Sequence, residues 1–134
     1  MTNRTQLLQQ ALSTRHNAYA PYSGFTVGAA ILTPSGKIFC GCNVENASYP
    51  CGTCAEAGAI AAMIAGGERQ IAEILVCADD ECLLPCGNCL QKIAEFALPD
   101  TLVHCANLDK IVQTYRLTEL LPHRFYLENT TDDR

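Results

Sequence analysis

Cys54-Ala55-Glu56, continued by the small residues Gly58, Ala59 and Ala62, and Pro85-Cys86-Gly87-Asn88-Cys89 frame the part of the chain whose reading decides the fold. The first stretch reads as a helix that begins near Cys54 and stops at Gly66-Gly67, because glycine ends helices and small side chains let a helix pack closely on a sheet. Between the two stretches, the apolar run Ile71 to Ala78 reads as a strand. The second stretch opens a helix over 87–97 that Pro99 ends, and Thr101 to Ala106 is the next strand. With a strand before Cys54, the order is strand, helix, strand, helix, strand. That order implies an α/β protein with a parallel segment and right-handed crossovers.

Working outward, Leu7, Leu8, Ala11 and Leu12 recur at helical spacing, giving a first helix from Asn3 to about Ala18 with Asn3 and Gln6 as a capping pair. Phe25 to Leu32, the turn Thr33-Pro34-Ser35-Gly36 and Lys37 to Asn43 read as a hairpin, apolar enough for burial on both faces. Toward the C-terminus, Thr114 to Leu117 adds a fifth strand and Thr118 to Leu121 a short helix. Glu128 to Arg134 is a polar, mobile tail.

A chain of 134 residues, 49% hydrophobic, suits one domain spanning 1–134 and is too short for two ordinary ones. The net charge of -5 excludes a large basic groove for nucleic acid and favours a small-molecule partner. No apolar run reaches the length of a membrane span, and the first residues lack the pattern of a signal peptide, so the expected location is cytoplasmic. Nine cysteines is an odd number, and Cys40, Cys42, Cys77 and Cys105 lie in apolar runs. They read as reduced and buried rather than as a disulfide framework.

The chemistry lies in the two framing stretches. Cys54, Cys86 and Cys89 supply three thiolates at two helix starts, where the partial positive charge of the helix favours the ionised sulfur. Three protein ligands on zinc leave a position open for water, and Glu56 is a nearby carboxylate able to move a proton. Two competing readings stand beside this one. Thr53 and Glu56 have the spacing of a capping box. Cys51 and Cys54 form a second C-x-x-C pair, which with Cys86 and Cys89 has the ligand set of a closed structural zinc site.

The combination of Cys54-Ala55-Glu56 with Pro85-Cys86-Gly87-Asn88-Cys89 is that of zinc deaminases. From Tyr19-Ala20-Pro21-Tyr22-Ser23-Gly24-Phe25 to Leu120-Leu121-Pro122 the chain resembles the small cytidine deaminase family, in its cysteine-only form. The resemblance implies a three-layer α/β fold, with a mixed five-stranded sheet and helices on both faces, and Zn2+ held by Cys54, Cys86 and Cys89. It implies hydrolytic deamination of a free cytidine-type nucleoside in pyrimidine salvage, with Glu56 as the catalytic proton carrier. It further implies that Asn43 and Glu45 hydrogen-bond the ribose hydroxyls, that Phe25 packs beside the nucleoside, and that the Ala55 backbone orients the base. Tyr49 would lie at a subunit contact, and Phe125 would reach a neighbouring subunit's site in a homotetramer with shared active sites. The chain departs from the pattern at Ala57 and Leu90, where cysteine-only members commonly carry Arg. Deamination of another aminated nucleoside or of an analogue such as blasticidin S, and a non-catalytic protein with a closed zinc site, remain open at this point.

Overall fold

The computed structural model describes residues 3–128. The chain opens with helix α1 (Asn3–Arg15), then forms the hairpin β1 (Val27–Leu32) and β2 (Ile38–Cys42). A short 3₁₀ turn at Tyr49–Cys51 leads into helix α2 (Ala55–Ala65), strand β3 (Ile71–Ala78) and helix α3 (Gly87–Phe96). Strands β4 (Ala97–Ala106) and β5 (Ile111–Arg116) and the single helical turn α4 (Leu117–Leu120) follow. The strands form one sheet in the order β2-β1-β3-β4-β5. β3 and β4 are parallel, whereas β1 is antiparallel to both its neighbours and β5 is antiparallel to β4. The sheet is therefore mixed, because the connection from β2 through α2 to β3 passes over β1.

Helices cover both faces. Leu7 and Ala11 of α1 pack on Ala30, Leu32, Leu75 and Cys77. On the opposite face, Ala59, Ile60 and Met63 of α2 and Leu90 and Ile93 of α3 join Ile31, Ile74 and Val103 in the larger core. Alternation along each strand sends successive side chains to these two cores, so all of β1 is buried. β2 is an edge strand and is mostly half-buried, which also leaves Cys40 and Cys42 only partly covered, short of the burial expected for them. All nine cysteines are unpaired as disulfides, and Cys77 and Cys105 are buried.

The small residues of α2 have a direct use. A Cβ on Gly41 of β2 would stand 2.2 Å from the Ala59 nitrogen, so only glycine lets α2 settle at this depth against the edge of the sheet. This close approach carries the N-terminus of α2 to the end of the hairpin.

Several boundaries differ from the sequence reading. α1 ends at Arg15, and its last turn runs out through bonds from Asn17 N to Thr14 O and from Ala18 N to Arg15 O; Asn3 is already helical and does not stand before the helix as a cap. β4 starts at Ala97 rather than Thr101. Its pairing jumps from Ile71↔Ala97 to Glu73↔Leu102, a bulge that accommodates Pro99, which has no N–H to give to a ladder. The Thr101 hydroxyl ties the bulge down by donating to Ile71 O at 2.5 Å and accepting Leu98 N at 2.7 Å. β5 begins at Ile111, three residues early, and α4 correspondingly at Leu117. The tail expected to be mobile lies, beyond Glu128, outside the described residues.

His104 is a satisfied core residue. Its Nε2 faces Glu73 Oε1 at 2.5 Å and its Nδ1 faces Thr114 Oγ1 at 2.8 Å, so neighbouring strands saturate the ring.

Candidate active site

Two helices begin at one place. Cys54 is the residue before α2 and Cys86 the residue before α3; both are extended, and neither side chain caps its helix, so both thiols are left for other partners. Cys89 lies one turn into α3 and is buried, while Cys54 and Cys86 are exposed. Helix N-termini carry partial positive charge, which stabilises thiolates.

Glu56 is the second residue of α2 and only 5% exposed. The capping-box alternative fails on register: the cap is Cys54 rather than Thr53, so Glu56 is one residue short of the position the box requires. Thr53 instead exchanges two backbone bonds with Val44, both 2.9 Å. Released from capping, the Glu56 carboxyl lies within hydrogen-bonding reach of Cys89. Burial pushes its pKa up, opposed more weakly by its own backbone N–H, the Cys89 thiol and the positive charge of Lys92. Burial likewise pushes the Cys89 thiol up, reinforced by the charges of Glu56, Cys54 and Cys86.

Cys54, Glu56, Cys86 and Cys89 line one end of a cavity of about 650 Å³, a volume suited to a small organic molecule. Among the described residues, no three His, Cys, Asp or Glu side chains converge tightly enough to form a ready-made metal cage. The three thiols nevertheless share this wall and act electrostatically on one another. Cys51 is exposed on the 3₁₀ turn and does not line the cavity.

Asn43 and Glu45 line the same cavity, two residues apart in the segment leaving β2. Asn43 Oδ1 accepts Val27 N at 2.8 Å, and its Nδ2 donates to Phe25 O at 2.8 Å. Glu45 Oε1 accepts Tyr22 N at 3.0 Å and Ser23 N at 3.1 Å, and Oε2 accepts the Ser23 hydroxyl. The Ser23 hydroxyl is the main cause of a Glu45 carboxyl held below its ordinary pKa, so this group is ionised at neutral pH. Ala55 and Tyr49 also contribute to the wall, Ala55 fully buried and Tyr49 78% exposed.

Two of the expected residues stand elsewhere. Phe25, 37% exposed, touches the arrangement through its backbone, and its ring is not part of the wall. Phe125, 68% exposed, lies away from this cavity; Gln91 of α3 grips its backbone, accepting Phe125 N at 3.2 Å and donating to Phe125 O at 2.8 Å. Ser23 and the Leu83-Leu84 pair line the cavity without having been singled out from the sequence. Leu83 and Leu84 directly precede Pro85, an apolar pair whose position beside the cysteine motif was the available signal.

The family profile described as "Cytidine and deoxycytidylate deaminase zinc-binding region" matches residues 1–105. The chain belongs to the cytidine and deoxycytidylate deaminase zinc-binding family. It is 40% identical over 131 residues to the cytidine deaminase of Halalkalibacterium halodurans, covering 97% of this chain and 99% of that one. A cytidine deaminase of Mycobacterium tuberculosis is 40% identical over 118 residues, 87% of this chain and 85% of its relative. The crystal structure of cytidine deaminase from Burkholderia pseudomallei superposes with a TM-score of 0.87 at 41% identity, covering 93% of this chain and all of that one. As a member of this family the chain takes Zn2+, and its donor chemistry fits: thiolate sulfur at helix N-termini suits zinc, with a proton-carrying carboxylate alongside.

Proposed function

We propose that this protein hydrolytically deaminates cytidine and deoxycytidine to uridine and deoxyuridine, releasing ammonia, in pyrimidine salvage. Cys54, Cys86 and Cys89 hold Zn2+ in this reading, Glu56 carries protons, and Asn43 and Glu45 hold the sugar. The observation that carries it is Glu56: a buried carboxyl with a raised pKa, outside any capping box, beside Cys89 at the meeting point of two helix starts.

Zinc, when bound, supplies the Lewis acidity that makes water a usable nucleophile at neutral pH. The protein does the rest. Burial raises the Glu56 pKa above the ordinary carboxylate value, which favours a carboxyl that can hold a proton and deliver it to the pyrimidine N3 and to the departing amine. The Ala55 backbone, at the start of α2, supports orientation of the base. Lys92 is a cation acting on Glu56 and favours its ionised form.

The charge of the wall favours a free nucleoside over a nucleotide. The described residues lining the cavity include Glu45 and Glu56 but no Lys, Arg or His, so a 5′-phosphate would meet carboxylates without a compensating cation. Among the described residues no helix is long and apolar enough to cross a membrane. A water-soluble salvage substrate and the acidic composition support a cytoplasmic site of action. The exposed Tyr49 and Phe125, the latter outside its own cavity, support a homotetramer in which Phe125 covers the base in a neighbouring subunit's site.

A panel assay tests this function. Zinc-loaded enzyme is expected to turn over cytidine and deoxycytidine, with kcat/KM for deoxycytidylate and for cytosine lower by about 100-fold or more, a few kcal/mol of lost recognition. Deoxycytidylate as the best substrate would overturn the nucleoside assignment. For shared sites, activity is expected to disappear when the subunits are dissociated; an active monomer would contradict them.

A further inference from the structure

Five hydrogen-bonding groups in the segment 22–27 converge on Asn43 and Glu45. The Ser23 hydroxyl links the two sides: it donates to Glu45 Oε2 and accepts Phe25 N at 3.0 Å. Phe25 in turn gives its carbonyl to Asn43 Nδ2 at 2.8 Å. Glu45, Ser23, Phe25 and Asn43 thus form one continuous hydrogen-bonded chain, although their elements are separated by 18 to 22 positions in sequence. Gly24 makes the turn possible, with φ of 71°, in the left-handed region that other residues rarely adopt.

Counting acceptor sites shows what this leaves for a ligand. A carboxylate has about four lone-pair directions. Glu45 commits three of them, to Tyr22 N, Ser23 N and the Ser23 hydroxyl. One remains, and an ionised carboxylate accepts only, so it takes a hydroxyl donor. Asn43 retains one N–H and one lone pair after its bonds to Phe25 O and Val27 N. The pair therefore presents one charged acceptor beside a donor and an acceptor, a set complementary to sugar hydroxyls.

We propose that Ser23 is a positioning residue for sugar recognition: its hydroxyl orients Glu45 and, through the Phe25 backbone, Asn43, so that the enzyme selects nucleosides whose sugar carries free hydroxyls. This rests on the reading in which Asn43 and Glu45 face the sugar. In this proposal Ser23 acts through Glu45 and Asn43. Removing its hydroxyl frees the Glu45 carboxylate to rotate and takes away the acceptor for Phe25 N, loosening both partners at once.

The test compares cytidine with 2′,3′-dideoxycytidine, which presents the same base on a sugar without the ring hydroxyls. Wild type, Ser23→Ala, Ser23→Thr, Glu45→Gln and the double variant Ser23→Ala/Glu45→Gln are assayed with zinc content and Tm measured for each. Ser23→Ala is expected to raise the cytidine KM about tenfold, the scale of a lost hydrogen bond to a charged group, with kcat within about twofold. The KM for dideoxycytidine is expected to change less than about twofold, and Ser23→Thr to restore the cytidine value. In the Glu45→Gln background, Ser23→Ala is expected to add little, since the two act as one unit. A rise of equal size for both nucleosides, an unchanged cytidine KM, or additive effects in the double variant would overturn the proposal while leaving the deaminase reading intact. A wild-type enzyme inactive on cytidine would overturn that reading and this inference with it. Should Ser23→Ala fold poorly, Ser23→Cys, which keeps the side chain's shape but donates weakly, carries the same comparison.

Discussion

The two ends of the cavity are built by different means. At the thiol end, Cys54, Glu56, Cys86 and Cys89 all lie within the first turn of a helix or directly before it, and the helices are fixed by the larger core beneath them. At the proposed sugar end, Asn43 and Glu45 stand on irregular chain and are held by bonds to the loop 22–27. Rigid placement comes from packing in one case and from a polar network in the other. In the proposed function, the chemistry that moves protons falls on the side fixed by packing, where a misplacement is most damaging, and recognition falls on the side held by the polar network.

Substitutions can break this division. Glu56→Gln keeps the shape of the helix start but cannot accept a proton, so kcat is expected to fall by at least about 100-fold with the fold retained. Steady-state kinetics and circular dichroism check it; loss of the fold with undiminished specific activity in the soluble fraction would return Glu56 to a structural role. Glu45→Ala removes the proposed sugar partner and the anchor of the loop together. Its expected effect is a KM for cytidine raised roughly 10- to 100-fold, with kcat reduced far less, the scale of hydrogen bonds to a charged group. A loss confined to kcat would place Glu45 on the chemical side and dissolve the contrast between the two ends.

Smaller effects sharpen the same contrast. Thr53→Ala is expected to shift stability by under roughly 0.5 kcal/mol, because Thr53 is not the cap of α2, whereas loss of a true cap costs about 1 kcal/mol. Denaturant titration separates the two values. His104, far from both ends on the α1 face, provides a control of another kind. Its burial holds the imidazole below its usual pKa, against the opposing pull of Glu73. The unfolded chain therefore binds the proton first, at about pH 6.5, and stability contributed by neutral His104 is present above that pH and lost as the pH falls below it. His104→Gln is expected to flatten the decline of Tm between about pH 6.5 and 5 without altering KM or kcat at pH 7.5. A decline as steep as in the wild type would assign it to other groups.

How legible each end was in the sequence follows from how it is built. Helix starts are local features: Cys54 before the small-residue run to Gly66-Gly67, and Cys86 before an amphipathic turn, announce themselves within a few residues. The helix α2, the strand β3 over 71–78 and the thiol end were accordingly readable from spacing. Even there, one-residue register mattered: Thr53 and Glu56 have capping-box spacing, and only backbone geometry shows the cap to be Cys54. At the sugar end, each decisive bond joins residues far apart in sequence, so composition and periodicity carried no trace of them, and Asn43 and Glu45 came only from family resemblance. Ser23 was quoted as part of a motif and given no role, since its role depends on Glu45 lying 22 positions away. The early start of β4 was hidden for another reason: Pro99 is a legitimate helix terminator, and its accommodation in a bulge depends on Ile71 in another strand.

The openness of the metal site is the point on which the whole chemical reading turns, because Cys51 stands three residues before Cys54 and a fourth sulfur would leave no position for water. X-ray absorption at the zinc edge on the resting protein addresses it directly. The expected spectrum is three sulfur scatterers near 2.3 Å and one lighter atom near 2.0 Å, the usual distances for zinc with thiolate and oxygen ligands. Four sulfurs would contradict hydrolysis at this site.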